Sequence, residues 1–151
     1  MKVANLFEVG LEPEEEDAPG YAVSYARVGP VVGGAQLGLS VYEIGPGQSI
    51  CPYHYENAEE EWLIVLAGRP TLRTPEGERE LGLWDCAFFP LGEAGAHKVT
   101  NLSDETVRVC MWSNVATVWT TVFPDSDKVR AGPPGKLFRL ADAVDYFTGE
   151  V

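Results

Sequence analysis

The chain has 151 residues, long enough for one well-formed core and too short for two. Its 11 Lys plus Arg against 23 Asp plus Glu give a net charge of −12, which argues against nucleic acid or an anionic membrane surface as a partner. Three cysteines, Cys51, Cys86 and Cys110, are too few for a disulfide framework, and no apolar run has the length of a signal peptide core or a membrane span, so a reducing cytoplasm is the expected location.

Residues 1–20 read as an irregular lead-in, broken by Pro13, Pro19 and Gly20, with the acidic run 12–17 as a solvated loop. From residue 21 the period changes to two. Residues 21–25 and 36–44 alternate apolar and small or polar side chains as strands do, separated by a turn at Gly29, Pro30, Gly33 and Gly34. Residues 62–66 are continuously apolar, as in a strand buried on both faces or bordering a cavity. Residues 71–74 and 79–83 suit a hairpin across Pro75 and Gly77. Further strands are expected at 85–89, 97–100, 106–112 and 115–123. In the tail, Leu137, Leu140, Ala141, Val144 and Phe147 fall at helical spacing and predict a short C-terminal helix. Sixteen glycines and eleven prolines, spread along the whole chain, fit many short strands joined by tight turns. The expected class is all-β, a sandwich or barrel, with residues 21–123 as the barrel and 124–151 as an extension packed on it.

Within that frame, residues 51–68 concentrate metal-ligand chemistry. His54 and Glu56 are two apart, so on one strand both would point to the same face. Glu61 follows five residues later, and a turn through 57–60 would fold it back beside them. The other histidine of the chain, His97, lies in a second stretch punctuated by Pro90, Gly92 and Gly95. Together they would offer two imidazoles and two carboxylates to one ion. The plain alternative is an acidic surface turn beside an unremarkable His-x-Glu.

These residues resemble the two motifs of the cupins, small jelly-roll β-barrels also described as double-stranded β-helices. Gly47, His54, Glu56, Glu61 and Gly68 follow the first motif, and Pro90-Leu91-Gly92, His97 and Asn101 follow the second, with Trp84-Asp85 where Gly-Asp is common. Three departures stand out. Glu56 takes the place of the second histidine, six residues instead of five separate Gly47 from His54, and four instead of two separate Gly92 from His97. The resemblance implies a cupin barrel and one divalent transition metal ion held by His54, Glu56, Glu61 and His97. Mixed imidazole and carboxylate ligands suit Zn, Mn, Fe or Ni. With both glutamates ionised, the ligand charge of −2 would cancel the ion and weaken it as a Lewis acid.

The function implied is a metalloenzyme acting on a small polar metabolite, of isomerase, decarboxylase or dioxygenase type. A non-catalytic module that binds or senses a small molecule is the alternative, and a purely structural metal the third. A homodimer is expected, since exposed sheet edges favour pairing. The aromatics Tyr53, Tyr55, Trp62, Trp84, Phe88, Phe89 and Trp112 read as core or cavity lining, and the three cysteines as small apolar core residues. Arg69, Arg73 and Lys98 read as surface residues, and Asn101 as a turn residue bonding the backbone.

Overall fold

Alternating sequence becomes alternating burial. In the computed structural model, which describes residues 1–14 and 18–151, β3 (Leu37–Ile44), β5 (Glu61–Ala67) and β10 (Val107–Asn114) send Val41, Leu63, Val65, Val107 and Val109 into the interior or against packed chain, all fully buried. These three long strands form the middle of a six-stranded antiparallel sheet in the order β1-β2-β3-β10-β5-β8, where β1 is Glu12–Pro13, β2 is Val23–Arg27 and β8 is Cys86–Phe89. Of the acidic run at 12–17, Glu12 and Pro13 thus pair with Tyr25 and Ser24 instead of standing as a free loop, and residues 15–17 lie outside the described residues.

A three-stranded sheet, β7-β6-β9, is made of the hairpin β6 (Thr71–Thr74) and β7 (Gly77–Glu80) with β9 (Lys98–Thr100). A four-stranded sheet runs β13-β12-β11-β4, from β4 (Tyr55–Glu56), β11 (Trp119–Phe123), β12 (Lys128–Gly132) and β13 (Lys136–Arg139). The ladders do not close into one continuous barrel. The main core, with Val23, Ile44, Leu63, Val65, Leu72, Leu81, Phe89, Val99, Val107 and Val109, draws on strands of the six- and three-stranded sheets. The architecture is the all-β arrangement expected from the strand spacing, of the jelly-roll type that the cupin resemblance implies.

Two local expectations are corrected. The tail forms no C-terminal helix: Lys136–Arg139 is a strand paired with 128–131, followed by a single 3-10 turn at Leu140–Asp142. The turn at Pro133, Pro134 and Gly135 returns the chain alongside β12, and ladder hydrogen bonds to an edge already present outweigh the weak helical preference of a short isolated segment. Conversely, the turn expected at 29–34 contains a short helix, α1 (Val28–Val32), the one α-helix among the described residues. Gly33 ends it at φ 90°, with the Gly34 amide reaching the Gly29 carbonyl at 2.8 Å, a closure that a left-handed glycine permits.

Candidate metal centre

Two chain segments distant in sequence are laced together before they reach the site. The Gly47 amide donates to the Asn101 carbonyl and the Asn101 amide to the Gln48 carbonyl, both at 2.8 Å. Asn101 is fully buried; its Nδ2 donates to the carbonyls of Ile44 and Glu105, and its Oδ1 accepts from the Ser103 amide and hydroxyl. Every polar atom of this side chain is satisfied, as a buried amide requires. Further along, His54 and His97 exchange both backbone hydrogen bonds, at 3.1 and 2.8 Å, which sets the two histidines side by side.

Their ring orientation is fixed from behind. His54 Nδ1 lies 3.0 Å from the Pro52 carbonyl and His97 Nδ1 2.9 Å from the Gly95 carbonyl. A carbonyl accepts only, so each Nδ1 carries the proton and each Nε2 keeps a lone pair. Both Nε2 atoms face the same oxygen, Glu61 Oε2, at 3.8 Å from His54 and 3.7 Å from His97. These distances are too long for hydrogen bonds. They match ligands about a metal, since two donors each about 2.1 Å from an ion at a tetrahedral angle lie roughly 3.4 Å apart. One ligand atom from each of His54, Glu61 and His97 falls within 4.8 Å of the others. His97 Nε2 is buried with no hydrogen-bond partner, which is costly unless something occupies the centre of the triangle. Phe89 stacks on the His97 ring at 3.7 Å and seals it from the core side.

Glu61 reaches this point as the first residue of β5, paired with Ser113 and Phe89 on its two sides. The turn before it is held by Asn114, whose Oδ1 accepts from the Glu60 amide and whose Nδ2 donates to the Ala58 carbonyl. Burial, then the charges of Glu56 and Glu59, push the Glu61 carboxyl up to about 8. Burial, then the neighbouring His54, pulls His97 down to about 3, and burial lowers His54 as well. The contacts between Glu61 and the imidazoles are therefore not ion pairs at neutral pH. The site holds neutral bases and a carboxyl reluctant to ionise, and a divalent cation would supply the charge that reverses that reluctance.

Glu56 stands apart from this triangle. Its Oε1 accepts from the Thr121 hydroxyl at 2.7 Å, and burial pushes its carboxyl up to about 7. The reason lies in the backbone. His54 pairs with His97, whereas Tyr55 and Glu56 pair with Val122 and Thr121 of β11, so the chain changes partner between residues 54 and 55. The same-face relation of residues two apart is a rule for one continuous strand, and such a switch interrupts it.

One side of the triangle opens on a cavity of about 300 Å³ lined in part by His54, Glu61, Tyr25, Arg27, Tyr42 and Cys51. Among the described residues Arg27 is the one cation lining it, with Glu14 also in the lining; Arg27 is folded over the Tyr25 ring at 5.9 Å, and Tyr25 stacks on Tyr42 at 6.2 Å. Burial pushes the Tyr42 hydroxyl and the Cys51 thiol up to about 12, so both remain protonated donors. Sequence reasoning did not single out Tyr25, Arg27 and Tyr42. Extending the alternation 21, 23, 25 by one step to Arg27 would have found the cation. Of the basic residues that were considered, Arg69 pairs with Glu80, Arg73 pairs with Asp125, and Lys98 donates to the Tyr21 hydroxyl. Cys110 is buried as expected, but Cys86 is exposed. Among the aromatics, Tyr53 and Phe89 are core residues, while Trp62, Trp84 and Phe88 are exposed.

An antiparallel jelly roll that gathers two imidazoles and a carboxylate beside a cavity defines the class: a small all-β protein of barrel-like form with a candidate metal site. The family model for the cupin domain matches residues 40–113, and the chain belongs to the cupin superfamily. Comparison with curated protein sequences gives no match. Among solved structures, a candidate sugar phosphate isomerase from Acidithiobacillus ferrooxidans is 24% identical, covers 93% of this chain and 91% of its own, and superposes with a TM-score of 0.84. A sugar phosphate isomerase of the cupin superfamily from Silicibacter pomeroyi is 21% identical over 96% and 98% of the two chains, with a TM-score of 0.82. A predicted oxalate decarboxylase from Thermotoga maritima is 17% identical over 76% and 100%, with a TM-score of 0.63. At these identities the likeness shows the fold alone.

Proposed function

We propose that this protein is a metal-dependent enzyme acting on a small, anionic, oxygen-rich metabolite, with His54, Glu61 and His97 as the ligands of one divalent transition metal ion. The observation that supports this most is the convergence of two lone-pair-bearing Nε2 atoms on one Glu61 oxygen, with His97 Nε2 otherwise unpartnered. A bound ion of this kind supplies Lewis acidity toward a carbonyl or hydroxyl oxygen. Three protein ligands leave coordination positions free, and His54 and Glu61 both line the cavity, so a substrate oxygen would enter from that side. With Glu56 held by Thr121, only one carboxylate charge offsets the ion, and the net positive charge favours an anionic substrate.

In this reading Arg27 binds the anionic end of the substrate and the Tyr25 and Tyr42 hydroxyls orient its oxygens. Ile50 and Met111, which also line the cavity, exclude water from one side. The reaction to test first is isomerisation of a small sugar phosphate, a reading supported by the names of the two whole-chain neighbours and by the Arg27 cation in the cavity lining. A second reading has its own support: two histidines and one carboxylate with open positions is the donor set of non-haem Fe(II) oxygenases. The experiment is reconstitution of chelated protein with Zn, Mn, Fe(II) or Ni, incubation with sugar phosphates in heavy water, and NMR detection of product and of deuterium beside the carbonyl. Oxygen consumption with Fe(II) would favour the second reading. Ligand binding without turnover under any metal would overturn the enzyme and leave a binding module.

A further inference from the structure

Besides the candidate ligands His54 and Glu61, the described lining of the cavity carries two charged side chains of opposite sign, Arg27 and Glu14. Neither forms an ion pair or a side-chain hydrogen bond with any described residue. Opposite charges that share a cavity attract each other and pair unless the backbone holds them apart. Here it does. The Glu14 amide donates to the Val23 carbonyl at 2.8 Å, continuing the ladder in which Glu12 faces Tyr25 and Pro13 faces Ser24. Glu14 therefore sits level with Val23, and Arg27 lies four residues further along β2. At ~3.4 Å per residue the two levels are roughly 14 Å apart.

The space between them is floored by hydroxyls. Tyr25 lies midway on β2 and pairs with Tyr42, and Arg27 pairs with Ser40 in the next row of the same face. Tyr25, Ser40 and Tyr42 all line the cavity. The Arg27 guanidinium leans back over the Tyr25 ring from one end. From the other end the Glu14 charge is felt on the same floor: burial is the main reason the Tyr42 hydroxyl and the Cys51 thiol stay protonated, and Glu14 adds to it. A molecule lying on this floor meets a guanidinium at one end and a carboxylate at the other. A guanidinium donates only, so it takes an anion; a carboxylate accepts only, so it takes O–H donors and repels a second anion.

We propose that Glu14 is a specificity-determining residue of the cavity, selecting molecules with one anionic group and hydroxyl donors at the far end over molecules with an anion at both ends. The inference rests on the reading of this cavity as the substrate site and adds the charge pattern of the substrate: a polyhydroxylated monophosphate fits, and its bisphosphate does not. Arg27 alone would not discriminate between them, since either offers it a phosphate. The second phosphate would be pressed against Glu14 with no described cation in the lining to offset it. Rejection of this kind, by a like charge set against the wrong ligand, costs a competitor about tenfold or more in affinity.

The test is calorimetric titration of the intact, zinc-loaded chain with fructose monophosphate against fructose bisphosphate, and with ribose monophosphate against ribose bisphosphate. The parent should prefer a monophosphate by about tenfold or more. Glu14→Gln keeps the shape and removes the charge, and should narrow that preference by about tenfold, chiefly through tighter binding of the bisphosphate. Glu12→Gln is the control. It makes the same charge change on the same short strand, but Glu12 lines the neighbouring cavity with Val9, Val28 and Val31 and not this one, so the preference should stay as in the parent. An unchanged preference in Glu14→Gln overturns the inference and leaves the cavity reading standing. An equal shift in both variants also overturns it, because the net charge of −12, and not Glu14, would then do the selecting. A metal-loaded parent that binds none of the four sugar phosphates refutes the cavity reading itself, and the selectivity falls with it.

Discussion

Without a metal, the protein should lose stability as pH rises from 6.5 to 8. Glu61 has its folded pKa at about 8, against 4.5 for an ordinary glutamate. A group raised in this way stabilises the fold fully below its unfolded pKa, and that contribution disappears as pH climbs through the folded value. The two histidines work in the opposite sense. Lowered from 6.5, with His97 at about 3, they contribute fully above 6.5 and lose that contribution as pH falls. Between 4.5 and 6.5 the two effects oppose each other, and above 6.5 the carboxylate acts alone. Over these one and a half pH units the folded Glu61 keeps most of its proton while the unfolded carboxyl is ionised, at ~1.4 kcal/mol per unit, so the loss is about 2 kcal/mol. Glu56 changes in the same direction but is more open to solvent, and its addition is small. With a divalent ion bound, Glu61 is already ionised and the loss should vanish. Guanidinium denaturation at pH 6.5 and 8, with chelator and with metal, reads both slopes. Chelated protein as stable at pH 8 as at 6.5, or more so, would refute the reasoning, and Glu61→Gln should flatten the chelated curve.

The ligand set itself is read by metal content. Glu61→Gln should reduce bound metal to background, whereas Glu56→Gln, whose partner is Thr121, should retain most of it; equal loss in both would restore Glu56 as a fourth ligand. Gly95→Ala places a methyl group against the Pro90 backbone and must displace the turn whose carbonyl holds His97 Nδ1. Calorimetric metal titration should show affinity lowered by about 10- to 100-fold, the usual cost of losing such an orienting partner, and unchanged affinity would contradict the role given to Gly95. Arg27→Ala should weaken binding of small phosphorylated sugars by roughly tenfold to a hundredfold, with little change for neutral analogues. A uniform loss for both ligand types would point to a collapsed cavity and not to a missing charge.

What the sequence reveals and conceals follows from how far each physical signal reaches. Period-two alternation is local, and it located most of the strands, including 71–74 to the residue. Motif spacing is a record of loop geometry, and it paired His54 with His97 across forty-two intervening residues. For Glu56 the limit is that same-face reasoning assumes one unbroken strand, and the chain changes sheets just before it. The tail was misleading because Leu137, Leu140 and Val144 have helical spacing, while the outcome was decided by a free edge on β12 that no local window contains. The continuously apolar run 62–66 was ambiguous for a related reason. Its inward members Leu63 and Val65 are fully buried, but nothing within the run says whether Trp62 faces chain, solvent or a partner.

The strand that carries that ambiguity also joins the two halves of the molecule's chemistry. Along β5, Glu61 faces the cavity and Trp62 faces outward, so a slip of one residue would exchange a candidate metal ligand for an exposed tryptophan. Both neighbours prevent the slip. Glu61 lies between Ser113 and Phe89, Trp62 between Trp112 and Phe88, and the ladder absorbs its one irregularity far from the site, between Arg108 and Val109. The position of the Glu61 carboxylate is therefore set by aromatic pairs on the opposite face. This makes Trp62→Glu a test of the register. It places a carboxylate next to Glu61 in sequence but on the other side of the sheet, so with the register intact the variant should bind the same amount of metal as the parent. Loss of metal would mean that the aromatic row holds the register, and that the outer face acts on the site through β5.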